Sequence, residues 1–239
     1  GGVISDFFGA KGIFLFLSLL GILLLILIVT DLKETHFQRS KDIFAQIKSY
    51  PTLLASLDFW LPTITFALSF SIFGIFFIGG PYIAVKVFNL SPTTMGIYLA
   101  FPSLGYVLGN ILISKIANRV STKTLMIIGS FVLLLGPLSS LILSHLFFHP
   151  LSFFLPILIM TFGSGIIWPA SNAEIVKAVP HLAGSASGLG SAIMTLMSSF
   201  AAFLTGFYIE NLNPIDFVCY FLILVGVLSF LSSLLTKSK

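Results

Sequence analysis

The chain has 239 residues, 57% hydrophobic and only 8% charged, against about a quarter charged in soluble domains. So little charge cannot cover a soluble core of this size, and the chain belongs in a bilayer. The net charge of +4 comes from cations scattered between apolar runs, which excludes a nucleic-acid surface, and the single Cys219 excludes an internal disulfide.

The apolar runs are continuous rather than alternating and about 20 residues long, which indicates spanning helices rather than barrel strands. The expected fold is all-α: a polytopic membrane bundle of about seven transmembrane helices, at 12–30, 53–79, 94–114, 124–147, 151–171, 184–208 and 215–236. The first span, Ile13 to Val29, has Ser18 as its one internal polar residue. The polar segment 31–52 follows and reads as a cytoplasmic linker, with a surface helix expected around Asp42 to Ser49. Six spans joined by short loops complete the chain. The organisation is thus 1–30 as one leading helix, 31–52 as linker and 53–239 as a six-helix bundle.

Prolines stand inside several spans, at Pro62, Pro102 and Pro137, and near the end of another at Pro169. Each removes a backbone hydrogen bond, which a bilayer tolerates only where neighbours satisfy the freed carbonyl. Ser91-Pro92 carries a helix-start signal, with Ser as cap and Pro at the first helical position. In the span at 184–208, Gly184, Gly188 and Ala192 form a ridge of small residues that lets another backbone approach, so this helix is expected to pack on partners.

The break at 115–123 fixes the threading. It carries Lys115, Arg119 and Lys123 at intervals of four, without an acid, and a helix there would put all three on one face. Placing this loop, 31–52, 172–183 and the C-terminus inside puts ten cations inside and leaves Lys11 and Lys86 outside. By the positive-inside rule the N-terminus is outside and the C-terminus inside. Gly109, Lys115 and Arg119 are expected to form a cytoplasmic latch that biases a conformational equilibrium.

Catalytic and metal chemistry find no footing, and no cofactor is implied. His145 and His149 are four apart but lie at a turn ending in Pro150, with no acid or Cys beside them in sequence. Asp58 is the one acid inside a predicted span, a candidate proton-linked group that also fits a wet helix entry. Glu174 is placed to pair with Lys177 three residues on. Aromatic and Met side chains in mid-span, among them Phe66, Phe70, Tyr98, Phe101, Met160 and Met194, are candidates to line an adaptable apolar cavity. A retinal protein would need a lysine in its last span, and Phe217 to Leu235 has none.

Three stretches carry a family resemblance: Gly1 to Phe14, Leu32-Lys33-Glu34-Thr35, and Gly80-Pro81-Tyr82 through Gly96 with Gly109 to Lys123. Together they resemble the C-terminal part of a major facilitator superfamily transporter, and more narrowly the bicyclomycin-resistance (Bcr/CflA) type of drug:proton antiporter. The resemblance implies the second half of a twelve-helix fold in the bacterial inner membrane. It implies efflux of a small amphipathic substrate against protons, by alternating access with a missing N-terminal half. The odd span count and outside N-terminus fit that implication. The competing expectation is a non-transporting membrane subunit or a degenerate remnant of a transporter.

Overall fold

The computed structural model describes residues 2–31 and 50–236. The expected linker helix at 42–49 and the Leu32–Thr35 stretch lie outside them. The described residues form an all-α bundle with seven helices long and apolar enough to cross a membrane. Helix is the form a lipid-embedded chain must take, because it satisfies every backbone N–H and C=O within the segment.

Helix α1 (Gly2–Asp31) breaks at Gly9, whose φ of 64° lies in the left-handed region that glycine alone enters freely. Beyond that break, no residue of its span Lys11–Asp31 is fully buried. Helix α2 (Leu57–Tyr82) contains Pro62 and Pro81 and runs on into a π-helical turn, Ile83–Val87. The expected third span is two helices, α3 (Pro92–Tyr98) and α4 (Ala100–Ile116), meeting at Leu99. Pro102 explains the break. It stands in the first turn of α4, where its missing N–H has no intrahelical partner to lose, so it starts a helix rather than bending one.

Helix α5 (Thr122–Leu146) starts at a Ser121 cap, and α6 (Pro150–Ala178) extends seven residues past the expected end at 171. Pro169 is therefore well inside α6. Helices α7 (Ala183–Tyr208) and α8 (Pro214–Leu235) close the bundle. Because α4 ends at Ile116 and the chain turns before Ser121, Lys115, Arg119 and Lys123 do not share one helical face; Lys123 belongs to the first turn of α5.

Helix α6 is the hub, packed between α4 and α5 and against α2; α2 in turn packs on α7 and α8. Glycines allow the close approaches. A Cβ on Gly165 would lie 2.5 Å from the Tyr106 carbonyl oxygen of α4, and one on Gly163 2.5 Å from the Gly129 carbonyl oxygen of α5. On α2, a Cβ on Gly74 would meet the Ser198 carbonyl oxygen of α7 at 2.3 Å. Hydroxyls join α2 to α8: Thr65 Oγ1 bonds Ser232 Oγ at 3.0 Å, and Ser232 Oγ donates to the Leu61 carbonyl at 3.2 Å. Such bonds stand in for the hydrophobic drive that is missing between helices in lipid.

One end of the bundle gathers Asp58, Glu174, Lys177 and Thr236, from α2, α6 and the end of α8, around one small cleft. The same end carries the α4–α5 loop, since Thr122 bonds Glu174. The other end gathers Ser144, His145 and Asn213 to Asp216. The cation count puts the first end inside. With Cys219 replaced by alanine, a cysteine at Ser121 is expected to resist an impermeant thiol reagent added outside, and one at Phe148 to react. Outside labelling at position 121 would reverse the threading.

Candidate functional site

Six aromatic rings from three helices meet on one face. Trp168 of α6 is the centre. Its ring centroid lies 4.7 Å from Phe70 and 4.9 Å from Phe73, both on α2, and 4.9 Å from Tyr106 on α4. Phe66 joins at 6.4 Å, and Phe77 packs on Phe73 at 5.6 Å. The spacing of Phe66, Phe70, Phe73 and Phe77, alternating four and three residues apart, keeps all four rings on one side of α2. All but Phe77 are half-buried, and Phe77 is exposed.

The cluster is deep. At 1.5 Å per residue, Trp168 lies ~15 Å from Ala178 at the basic-loop end of α6, and Phe70 ~20 Å from Leu57. That is near the middle of a hydrocarbon core about 30 Å thick. Polar groups here are few. The Trp168 indole N–H is buried without a hydrogen-bond partner among the described residues. Asn110 Nδ2 is engaged by the Tyr106 carbonyl at 2.9 Å, one turn along α4. In α2 to α8 the acids are Asp58, Glu174, Glu210 and Asp216, all near helix ends, so no carboxylate reaches this face.

Of the predicted cavity residues, the structure brings together Phe66 and Phe70. Tyr98 packs on Phe101 at 5.9 Å and on Phe154 at 5.3 Å, a second group beside the α3–α4 break. Met160 is a correction: it is fully buried against Gly136 of α5 and faces no open surface. Met194 is half-buried on α7. Trp168 and Tyr106 were not among the expected cavity residues. Ending the span at 171 had placed Trp168 at a membrane edge, whereas the longer α6 carries it to mid-depth.

The small ridge lies apart from the helix contacts within this chain. A Cβ on Gly184 or Gly188 would meet nothing within 4 Å, and Ala192 is exposed, so the ridge contacts no described helix. The buried face of α7 carries Ala186, Gly190, Ser198, Ala201 and Thr205 instead.

At the end that carries the basic loop, Glu174 is the organised acid. The Thr122 hydroxyl donates to its Oε1, and Lys177 Nζ lies 3.2 Å from the same oxygen. This ties the first turn of α5 to the end of α6. Asp58 sits in the first turn of α2, half-buried and also engaged, rather than deep in the span. Lys115 and Arg119 are exposed beside this network and pair with no acid among the described residues. Gly109 is buried in the α4–α6 crossing: a Cβ there would lie 2.3 Å from the Phe162 carbonyl oxygen of α6.

The Major Facilitator Superfamily profile matches residues 1–202. The chain belongs to the Major Facilitator Superfamily. Two uncharacterized MFS-type transporters are similar to it along most of its length. One, from Methanocaldococcus jannaschii, is 27% identical over 241 residues, covering 97% of this chain and 60% of the relative. The other, from Bacillus subtilis, is 24% identical over 242 residues, covering 95% and 57%. The chain thus spans about three-fifths of the length of the curated relatives it matches. Membership makes it a multi-pass membrane protein of a transporter family.

Proposed function

We propose that this chain is the C-terminal six-helix half, with one preceding helix, of a secondary transporter that works by alternating access. The aromatic face at mid-depth carries this reading. Transporter sites of this kind lie near the bilayer midplane between two bundles, and here rings from α2, α4 and α6 converge at that depth on a surface left half-open. Its substrate is a small amphipathic molecule, because the face offers ring area and almost no polar contact.

Proton antiport and drug efflux, in a bacterial inner membrane, are the narrower proposal. They rest on the Gly80–Gly96 and Gly109–Lys123 stretches and their likeness to the bicyclomycin-resistance type. With no carboxylate on the aromatic face among the described residues, coupling acids belong to the partner half or to Asp58 at the helix entry. Of the expected latch, exposed Lys115 and Arg119 act against that half, while Gly109 holds α4 on α6.

One bundle leaves the aromatic face and the Gly184–Gly188–Ala192 ridge open to lipid, and a partner half would cover both. Proteoliposomes holding residues 1–239 alone are therefore expected to show no substrate-dependent efflux. Co-expressing a six-helix N-terminal half is expected to restore part of it, and a protonophore to abolish what is restored. Robust efflux by the chain alone would instead support a homodimer.

A further inference from the structure

At the end of the bundle that carries the basic loop, α4, α5 and α6 leave an open groove of about 320 Å³. It starts where the close crossing ends: Gly109 sits against the α6 backbone, and Asn110, the next residue, belongs to the lining. The lining follows α4 to Ala117, about 10 Å further on. Small side chains leave the gap, Ser114 and Ala117 on the α4 side and Ala173 on α6. The interior offers little to a polar ligand. Asn110 Nδ2 donates to the Tyr106 carbonyl at 2.9 Å, Ser114 Oγ to the Ile111 carbonyl at 2.8 Å, and the Thr122 hydroxyl to Glu174. Each polar lining group thus spends a donor on the protein. The mouth is basic. Lys115 follows Ser114, Arg119 stands two residues after Ala117, and Lys123 follows Thr122. None of the three pairs with an acid among the described residues. Glu174, beside Ala173, is already held by Lys177 at 3.2 Å and by Thr122, so it does not offset them.

We propose that this groove binds one anionic phospholipid, with the upper part of an acyl chain along α4 and the phosphate among Lys115, Arg119 and Lys123. Charge and depth together select this occupant. An apolar trough that opens at a basic rim matches a molecule with an acyl chain on one side of an anionic phosphate, and basic pockets between spans at the membrane surface hold such headgroups. A soluble anion would use the rim and leave the trough empty. A zwitterionic lipid would bring a cation of its own against three others. The partner half meets exposed Lys115 and Arg119 only when it closes on this end, so lipid and latch take turns there. The site itself needs nothing beyond the described residues and does not rest on the transport reading.

The chain has two tryptophans, and Trp168 adjoins Pro169, which lines the deep end of the groove. Trp60→Phe therefore leaves one indole that reports on the bound chain. The full chain carrying that change is placed in nanodiscs of phosphatidylcholine, and phosphatidylglycerol with brominated acyl chains is titrated against equally brominated phosphatidylcholine. The anionic lipid is expected to quench Trp168 at a mole fraction about fivefold lower, the factor that one basic side chain near an anionic headgroup already supplies. Replacing Lys115, Arg119 and Lys123 together by glutamine is expected to remove this preference. Ala117→Leu, which fills the mouth at an exposed position, is expected to reduce it with the cations intact. Equal quenching by the two lipids leaves the groove to another occupant, such as a helix of the partner half, and overturns the site. So does a preference that survives the triple replacement. A preference untouched by Ala117→Leu would mean that lipid gathers at the loop with no chain in the groove, and overturns it too.

Discussion

Gly109→Leu is expected to prevent the bundle from assembling, not merely to slow a transport cycle. Helices α4 and α6 cross backbone to backbone, with the Thr161 hydroxyl the one side chain close by at Gly105. A Cβ on Gly105 would lie 2.2 Å from the Leu158 carbonyl oxygen, and one on Gly109 2.3 Å from that of Phe162. The α6 side is equally bare, for a Cβ on Gly165 would lie 3.0 Å from the Gly109 Cα. These contacts are to backbone, which cannot rotate aside as a flexible side chain can. Even Gly109→Ala must push two helices apart, an overpacking cost of about 1–3 kcal/mol. A leucine adds four heavy carbons to the same space. Moving α4 away also strips Tyr106 from Trp168, so the damage reaches the aromatic face. Size-exclusion profile and unfolding midpoint in detergent measure this directly. Arg119→Ala, at an exposed loop, is the contrast: it is expected to leave both unchanged. A monodisperse Gly109→Leu protein with a wild-type midpoint would show that the crossing has slack.

Much of this fold is legible in the sequence because a bilayer imposes so few choices. The run from Pro214 to Leu235 is apolar, capped by Asn213 and nearly free of charge, and it is a spanning helix almost to the residue expected. Helix ends were harder. Nothing after 171 breaks the α6 pattern until Pro180, and the polar residues Ser171 and Asn172 continue the helix. Pro102 shows the converse, since a proline in a long apolar run signals either a bend or a new start, and only packing decides between them. The site was legible as a residue type rather than as a place. Phe66 and Phe70 carry the helical spacing of one face, but the contact that gives them meaning is with Trp168, 98 residues after Phe70. Gly184 and Gly188 show the same gap. Their spacing announces a close helix contact, while the choice between the two sides of α7 is made by the contacts of Ala186 and Gly190.

Trp168→Ala is expected to raise the KM for an amphipathic substrate by about tenfold, ~1.4 kcal/mol, in a transport-competent pairing of the two halves. The indole is the one ring that touches Phe66, Phe70, Phe73 and Tyr106 together. Removing it takes away a contact surface and also lets the four rings it touches collapse into the space. Trp168→Phe separates these roles from that of the N–H. Phenylalanine keeps a ring at the centre and deletes a donor that is buried without a partner. An unpaired buried N–H costs about 1–3 kcal/mol, so the phenylalanine variant is expected to be no less stable than wild type and to keep KM within about twofold. Uptake kinetics over a substrate series, read beside the unfolding midpoint of each variant, distinguish the cases. If Trp168→Phe loses transport as fully as Trp168→Ala, the indole N–H is making a bond in another state of the cycle, and the ring-surface account of the site fails. If neither variant changes KM, the substrate does not use this face, and the cavity must be sought toward Tyr98 and Phe101.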